Sequence, residues 1–596
     1  MGSEMCIRDS IYIPMEERVN PLQLLIDEFE SEETRVRVNA IRRLPIIAAV
    51  LGESSQAKGQ ILGFLDNVLA SDENDEVLFG MAESLLSLSR YFKLKMVFII
   101  EKLVCVEETV VRQKAVECYI ALVKYLKKSE IREVLIPNVK KLAESDLFTT
   151  KISAINIMTD IYPACSEDDK KIIRNKLNQL FGEDSLMVRR VLASKMGTLC
   201  NFMSKSTVLS ELINSFKTLT NDDSANVRIL TIESLVDLAK NLNDEENKTH
   251  MIPIIITLTS DKSWRVKFNL AKHFPRIAKA VGREVTDSLV PIFSSLLRDP
   301  EGEVRISAVK ALSTFVHLLK MERVNSILAY LQTLAKDTVE LVRVNVAIVL
   351  QHILKMKLGQ VSISIKDSVG GRIHSILKEI IMDENLEVKI EGMKIMEAWS
   401  GFVSSSDLKA IVNEILVYME PSTQWRLRLA VVDSLMKIAC KYKDSSLFSK
   451  NFKDIFLLGI KDKSHSVRQH TISFISPLSA FLDDNFLLTF LAVEMLQILE
   501  EDKKYSYQIR ISSIYGIGMM HKEMKDEGTI VQLIVNQIIP LLDHKVVNIR
   551  QVAVKVLKEM LVRSKKKNLK ESIKKGFKEL LSKETDAEVR YLAKLM

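Results

Sequence analysis

One phrase recurs along this 596-residue chain and constrains its fold more than any other feature: an acidic residue, a few polar residues, then a branched apolar residue followed by Arg or Lys. It reads DPEGEVR ending at Arg305, KDTVELVR at Arg343, DENLEVK at Lys389 and DKSHSVR at Arg468. The branched position falls at Val36, Val77, Val111, Thr150, Val188, Val227, Val266, Val304, Val342, Val388, Leu427, Val467, Ile509, Ile549 and Val589. Those are 15 positions spaced 34 to 46 residues apart, and the residue that follows is basic in 14 of them, Leu78 being the exception.

Apolar residues flank the phrase at helical spacing. After it, Val304, Ala308, Leu312, Phe315 and Val316 form one stripe; before it, Leu289, Val290, Phe293, Leu296 and Leu297 form another. Each unit therefore reads as two antiparallel helices joined at the phrase. A period near 39 fits HEAT or armadillo units better than the shorter ankyrin or tetratricopeptide repeats. Pro137, Pro253 and Pro291 each stand 13 residues before their marked position, where a proline kinks the first helix in the HEAT manner. The acidic residue is expected in the turn, accepting backbone N–H bonds, and the basic residue beside a carboxylate of the neighbouring unit. A hairpin cannot bury its own apolar stripe, so neighbours must cover it. The expectation is an all-α, α-α superhelix, a HEAT solenoid of about 15 antiparallel helix pairs. A chain of this length is too long for one compact core, and 12 Pro and 19 Gly leave little for anything but long helices and short turns.

The chemistry the sequence leaves out is as informative. No phosphate-binding glycine loop, nucleophile elbow or zinc-protease helix appears among the motifs, the nine histidines (His250, His273, His465 and His470 among them) show no metal spacing, and no catalytic residue, metal or cofactor is expected. Cys6, Cys105, Cys118, Cys165, Cys200 and Cys440 are scattered, as reduced thiols are in an intracellular protein. No apolar run has the length of a membrane span and no secretory signal opens the chain, which points to a cytoplasmic and nuclear protein with no membrane partner. Met1–Ser10 resembles translated adaptor sequence and is set aside with the rest of 1–16 as a non-repeat segment. The net charge of +7 is mild for this length, and no nucleic acid is expected; the cluster Arg563, Lys565, Lys566, Lys567 and Lys570 reads as a solvated inter-helix loop.

Several phrases go beyond generic repeat grammar: VEETVVRQKAVE from Val106, DLFTTKISA from Asp146, MVRRVLASKMG from Met187, DKSWRVKFNLAKHF from Asp261, AVGREVT from Ala280 and QWRLRLAVVDSL from Gln424. With the repeat count, they make the chain, from about residue 17 onward, resemble the scaffold (A) subunits of protein phosphatase type 2A. The resemblance implies a non-catalytic, horseshoe-shaped scaffold whose row of intra-repeat turns carries variable regulatory (B-type) subunits on one half, residues 17–320 (repeats 1–8). It implies the phosphatase catalytic subunit on the other half, residues 321–596 (repeats 9–15). Carried over by motif, the regulatory side would use Glu107, Glu108, Phe148, Asp184, Arg190, Ser263 and Trp264; the catalytic side would use Trp425, Arg426, His465, Arg510 and Asn548. All of these are expected on an exposed ridge. Leu186, Leu147 and His465 stand where the family usually has proline, tryptophan and tyrosine, and the 46-residue interval, from Met356 to Gly371, is expected to be an exposed loop. The alternative readings are a HEAT adaptor or nuclear transport receptor for other proteins.

Overall fold

The computed structural model describes residues 20–51, 55–71, 74–356, 363–445, 448–500, 504–524 and 527–594. Among these the chain is helical throughout, with no strand. Contact density divides it into two units, Met1–Ile292 and Phe293–Met596, each built from successive helix pairs.

The repeat register read from the sequence is the register of the helices. Each of the 15 marked residues is the third residue of a helix: Val111 in Thr109–Leu122, Val188 in Leu186–Cys200, Val266 in Trp264–Ala280, Leu427 in Trp425–Tyr442, Ile549 in Val547–Arg563, and so on from Thr34–Leu51 to Ala587–Lys594. Fourteen of them are buried, Val36 being half-buried at the first pair. The physical reason is common to all. The third position of the helix points back over the turn onto the partner helix, so a branched apolar residue there closes the hairpin. These second helices stack on one another within each unit, Leu186–Cys200 on Ala225–Asn241 and Leu386–Trp399 on Trp425–Tyr442 among the closest pairs.

The prolines sit as expected in first helices, and the structure adds how the chain absorbs them. Pro137 follows the π-helical turn Ile131–Leu135, and Pro253 follows Asn247–Met251. A π turn lets the ladder slip by one bond just where the proline supplies no donor.

A ladder of side chains ties the turns together. In the first unit Arg189 donates to Asp222 at 2.6 Å, and Arg228 forks onto Asp261 at 2.7 and 2.8 Å. In the second, Arg305 forks onto Asp337, Arg343 onto Asp383, Arg428 onto Asp462 and Arg550 onto Glu584, all between 2.5 and 2.9 Å. The same guanidinium reaches back to its own turn: Arg228 to the Asp222 carbonyl, Arg305 to that of Asp299, Arg343 to that of Asp337. The receiving aspartate completes the pattern by accepting the N–H two residues on, as Asp261 does from Ser263 and Asp462 from Ser464. Each rung therefore satisfies turn carbonyls, turn amides and two opposite charges together, which is what makes burial of the ions tolerable. The carboxylate holds the guanidiniums of Arg228, Arg305, Arg343, Arg428 and Arg550 above their ordinary pKa, whereas burial pulls that of Arg468 below it.

One expectation is corrected. The Met356–Gly371 stretch is not a loop throughout: Ile363–Ile381 is a helix, and Gly370 and Gly371 lie within it. Its pattern ISIKDSVGGRIHSIL carries Val369, Ile373, Ile376 and Leu377 on one face, all buried. Residues 357–362 of the expected loop lie outside the described residues, as do residues 1–16 and Cys6. Of the other cysteines, Cys118, Cys165 and Cys200 are buried, and burial pushes the thiols of Cys118 and Cys200 up to about 12.

Candidate protein-binding ridge

Because fourteen of the fifteen second helices start two residues before a buried position, their first two residues lie at the turn, away from the core. The ridge is made of these residues. In the first unit they are repeatedly large and apolar: Val110, Phe148 with Leu147 before it, Leu186 and Met187, and Trp264, between 38 and 58 % exposed. Exposed large apolar side chains recurring at one register are of the kind that anchors protein interfaces. In the second unit the apolar tips are Leu341, Trp425 and Tyr507, with polar tips such as His465 between them.

Of the residues expected on the regulatory side, Phe148 and Trp264 open their helices, Glu107, Glu108, Asp184 and Ser263 lie in the turns just before them, and Arg190 is the fifth residue of its helix. Glu107 is exposed in the turn, and Glu108 caps Thr109–Leu122 by accepting the Val110 N–H at 3.3 Å. Phe148 opens Phe148–Ile161; Asp184 is exposed, its carbonyl taking Arg189 at 2.8 Å. Arg190 is half-buried and lies 3.5 Å from the Met187 sulfur. Ser263 is the residue before Trp264–Ala280, and Trp264 stands edge-on to Phe268 at 6.4 Å with the Arg265 guanidinium 5.6 Å from its ring centre. That tryptophan offers an apolar edge beside a cation.

On the other side Trp425 is 46 % exposed and opens its helix, while Arg426 forks onto Glu387 of the preceding pair at 2.7 and 3.3 Å. His465 and Asn548 are exposed at the first and second positions of their helices.

Arg510 does not belong to the exposed set. It is 4 % exposed and occupies the ladder position, its Nη1 3.2 Å from His544 Nε2. The residue that the same YQIR motif places on the ridge is Tyr507, in the register of Trp264 and Trp425. Its signal was in the sequence: a large side chain two residues before the branched position, as also at Leu186 and Phe148.

Known proteins share this fold or parts of this sequence. Residues 203–326 match a family model described as the PIK3R4-like middle domain. The A regulatory protein of phosphatase PP2A from Schizosaccharomyces pombe is 30% identical over 269 residues, 44% of this chain and 45% of its own. The alpha isoform of the phosphatase 2A 65 kDa regulatory protein from Arabidopsis thaliana is 34% identical over 33% of this chain and 34% of its own, and the human beta isoform is 26% identical over 49% and 63%. This chain is similar in sequence to the scaffold proteins of phosphatase 2A. The matched segment spans less than half the length of the fission yeast relative. Among solved structures, Kap95p, whose binding induces the switch loops of RanGDP to adopt the GTP-bound conformation, superposes with a TM-score of 0.56 over 94% of this chain and 74% of its own, at 12% identity. The karyopherin Kap121p does so at 0.54 over 96% and 68%, at 13% identity. At that identity the likeness is one of fold: a superhelix of helical pairs.

Proposed function

We propose that this chain is a non-catalytic scaffold that assembles the catalytic and variable regulatory subunits of a type 2A serine/threonine protein phosphatase on its intra-repeat turns. The observation that carries the reading is the ridge itself, in which large apolar tips recur at one register at the starts of successive second helices. Regulatory subunits would seat on Phe148, Leu186, Met187 and Trp264, with Glu107, Glu108, Asp184 and Arg190 selecting among them by charge. The catalytic subunit would seat on Trp425, Arg426, His465, Tyr507 and Asn548. The scaffold contributes proximity: two partners on one frame meet at an effective concentration far above their free one. Cytoplasmic and nuclear residence forms part of the same proposal.

The test is capture of separately purified phosphatase 2A catalytic subunit by the full chain and by the double variant Trp425→Ala, Arg426→Ala. Intact protein should capture it, and the double change should weaken capture at least ~30-fold, the effect of losing a central aromatic anchor. Failure of the intact, helical protein to capture the subunit would refute the phosphatase reading.

A further inference from the structure

Charge is distributed unevenly along this chain. Residues 545–594 hold 15 Lys and Arg against six Asp and Glu, an excess of nine. That exceeds the +7 of the whole chain, so the remainder is slightly acidic. The excess is concentrated where helix Val547–Arg563 hands over to helix Lys567–Lys583. Arg563, Lys565, Lys566 and Lys567 are exposed on the connection, and Lys574, Lys575 and Lys578 continue along the second helix on the side away from buried Leu569, Ile573, Phe577 and Leu580. Lys567, Lys574 and Lys578 share one stripe about 16 Å long at the helical rise. Glu571 lies within this stripe but pairs only loosely, 3.9 Å from Lys567.

The connection is rigid. Ser564, 2 % exposed, donates its N–H to the Met560 carbonyl at 2.8 Å, and its Oγ accepts the Lys566 N–H at 3.1 Å. With Leu569 and Ile573 locked in the core, the lysines cannot be drawn out as an extended basic peptide for an import receptor's groove. The connection also joins one repeat to the next, on the edge opposite the intra-repeat ridge, so whatever it binds leaves the ridge free.

We propose that the Arg563–Lys578 edge is a peripheral docking surface for anionic lipid membrane. A protruding corner brings few of its charges against the narrow backbone of a duplex, but a planar anionic surface lies within a Debye length of nearly all of them. Lysines outnumber arginines, so bidentate readout of bases is not what the surface offers. The most exposed large apolar residue of the described chain, Val562 at 77 %, stands beside Arg563 at the same corner. An apolar side chain among cations suits the headgroup boundary. No described helix is long and apolar enough to span a bilayer, so the attachment is peripheral and departs from the expectation of no membrane partner.

The experiment is vesicle co-sedimentation of the full chain with phosphatidylcholine vesicles, with and without about one-third phosphatidylserine. Three proteins are compared: the intact chain, Lys565→Gln/Lys566→Gln/Lys567→Gln, and a control that removes equal charge from exposed lysines of the first unit, Lys124→Gln/Lys127→Gln/Lys128→Gln. The expected result is binding to the phosphatidylserine vesicles alone, abolished by high salt. Partitioning should fall about fivefold per lysine in the first variant and stay unchanged in the control. Equal losses in both variants, no binding to the anionic vesicles at low salt, or retention by duplex DNA with none by vesicles would each overturn the proposal. Circular dichroism of both variants checks that the helices are intact.

Discussion

The rung Arg428–Asp462 and the rung Arg510–His544 do the same backbone work with different chemistry. At the first, a carboxylate takes two guanidinium bonds at 2.5 and 2.9 Å and accepts the Ser464 N–H at 2.7 Å. At the second, His544 stands in the aspartate's place. Its Nδ1 faces the Val546 N–H at 3.0 Å, its carbonyl takes Arg550 at 2.8 Å, and its Nε2 faces Arg510 at 3.2 Å. The turn keeps its shape while an imidazole takes the place of the carboxylate. A neutral imidazole carries one N–H and one lone pair, so it cannot accept from Val546 and Arg510 at once, as a carboxylate can. The comparison separates two duties of the ladder, folding the turn and setting a two-oxygen acceptor across from a buried guanidinium.

The strongest way to break the comparison is to delete a carboxylate. Asp462→Ala leaves Arg428, whose side chain is 6 % exposed, buried without its counter-ion, and should cost about 3–5 kcal/mol. Arg426→Ala, two residues away but on a pair 51 % exposed on both sides, should cost at most ~1 kcal/mol. Urea unfolding followed by helical circular dichroism compares the two, and similar losses would contradict the division between ladder and ridge. A smaller effect is expected from converting a carboxylate rung into a histidine rung. Asp383→His retains an acceptor for the Asn385 N–H but gives up the fork from Arg343, a loss of about 1.5–3 kcal/mol. If that variant matched the parent, charge would be irrelevant to the ladder.

Much of this was legible in the sequence because the repeat forces it. Fifteen branched residues at one register can only be the closing residues of fifteen hairpins, and the helices start accordingly. The Arg–Asp rungs were legible for the same reason. Arg510 was misplaced because a motif was carried over whole: YQIR contains one ridge residue and one ladder residue, and only the repeat register separates Tyr507 from Arg510. The helix Ile363–Ile381 was missed because KLGQVSISIKDSVGGR is rich in glycine and β-branched residues, poor helix formers on their own. Packing of Val369 and Ile373 into the core outweighs that propensity. No sequence pattern announced the Arg426–Glu387 pair, which depends on the stagger of two adjacent helices.

Acid sharpens the contrast differently. The Arg550 guanidinium, the largest influence, holds the Glu584 carboxyl below its ordinary pKa, reinforced by the Asp586 and Thr585 N–H groups. A carboxylate depressed in the folded state binds fewer protons there than when unfolded. Its stabilisation is therefore complete above the ordinary value of about 4.3 and is lost as pH falls through the lower folded value. Hydrogen exchange of Val547–Arg563 and Ala587–Lys594, corrected for intrinsic rates, should show protection steady from pH 7 to about 5 and falling below about 4. In Glu584→Gln that acid-dependent loss should vanish; its persistence would assign the acid sensitivity to other groups.

The smallest effect is the most direct comparison, because it puts a carboxylate in the imidazole's place. His544→Asp supplies an acceptor for the Val546 N–H and, at the same time, a carboxylate facing buried Arg510, leaving the carbonyl that takes Arg550 untouched. The geometry needed already exists two rungs earlier at Asp462, and a substitution that brings one repeat to the pattern of its neighbours commonly yields about 0.5–2 kcal/mol. The low end is expected here, since Asp543 lies next in the chain and a second negative charge beside it opposes the gain. Slower exchange in Tyr507–Glu523 and Val547–Arg563, with Trp264–Ala280 unchanged, is the predicted outcome. A loss of protection instead would mean that the imidazole is stabilised by its surroundings as it stands, and that the ladder of the last repeats was built around histidine and not merely tolerant of it.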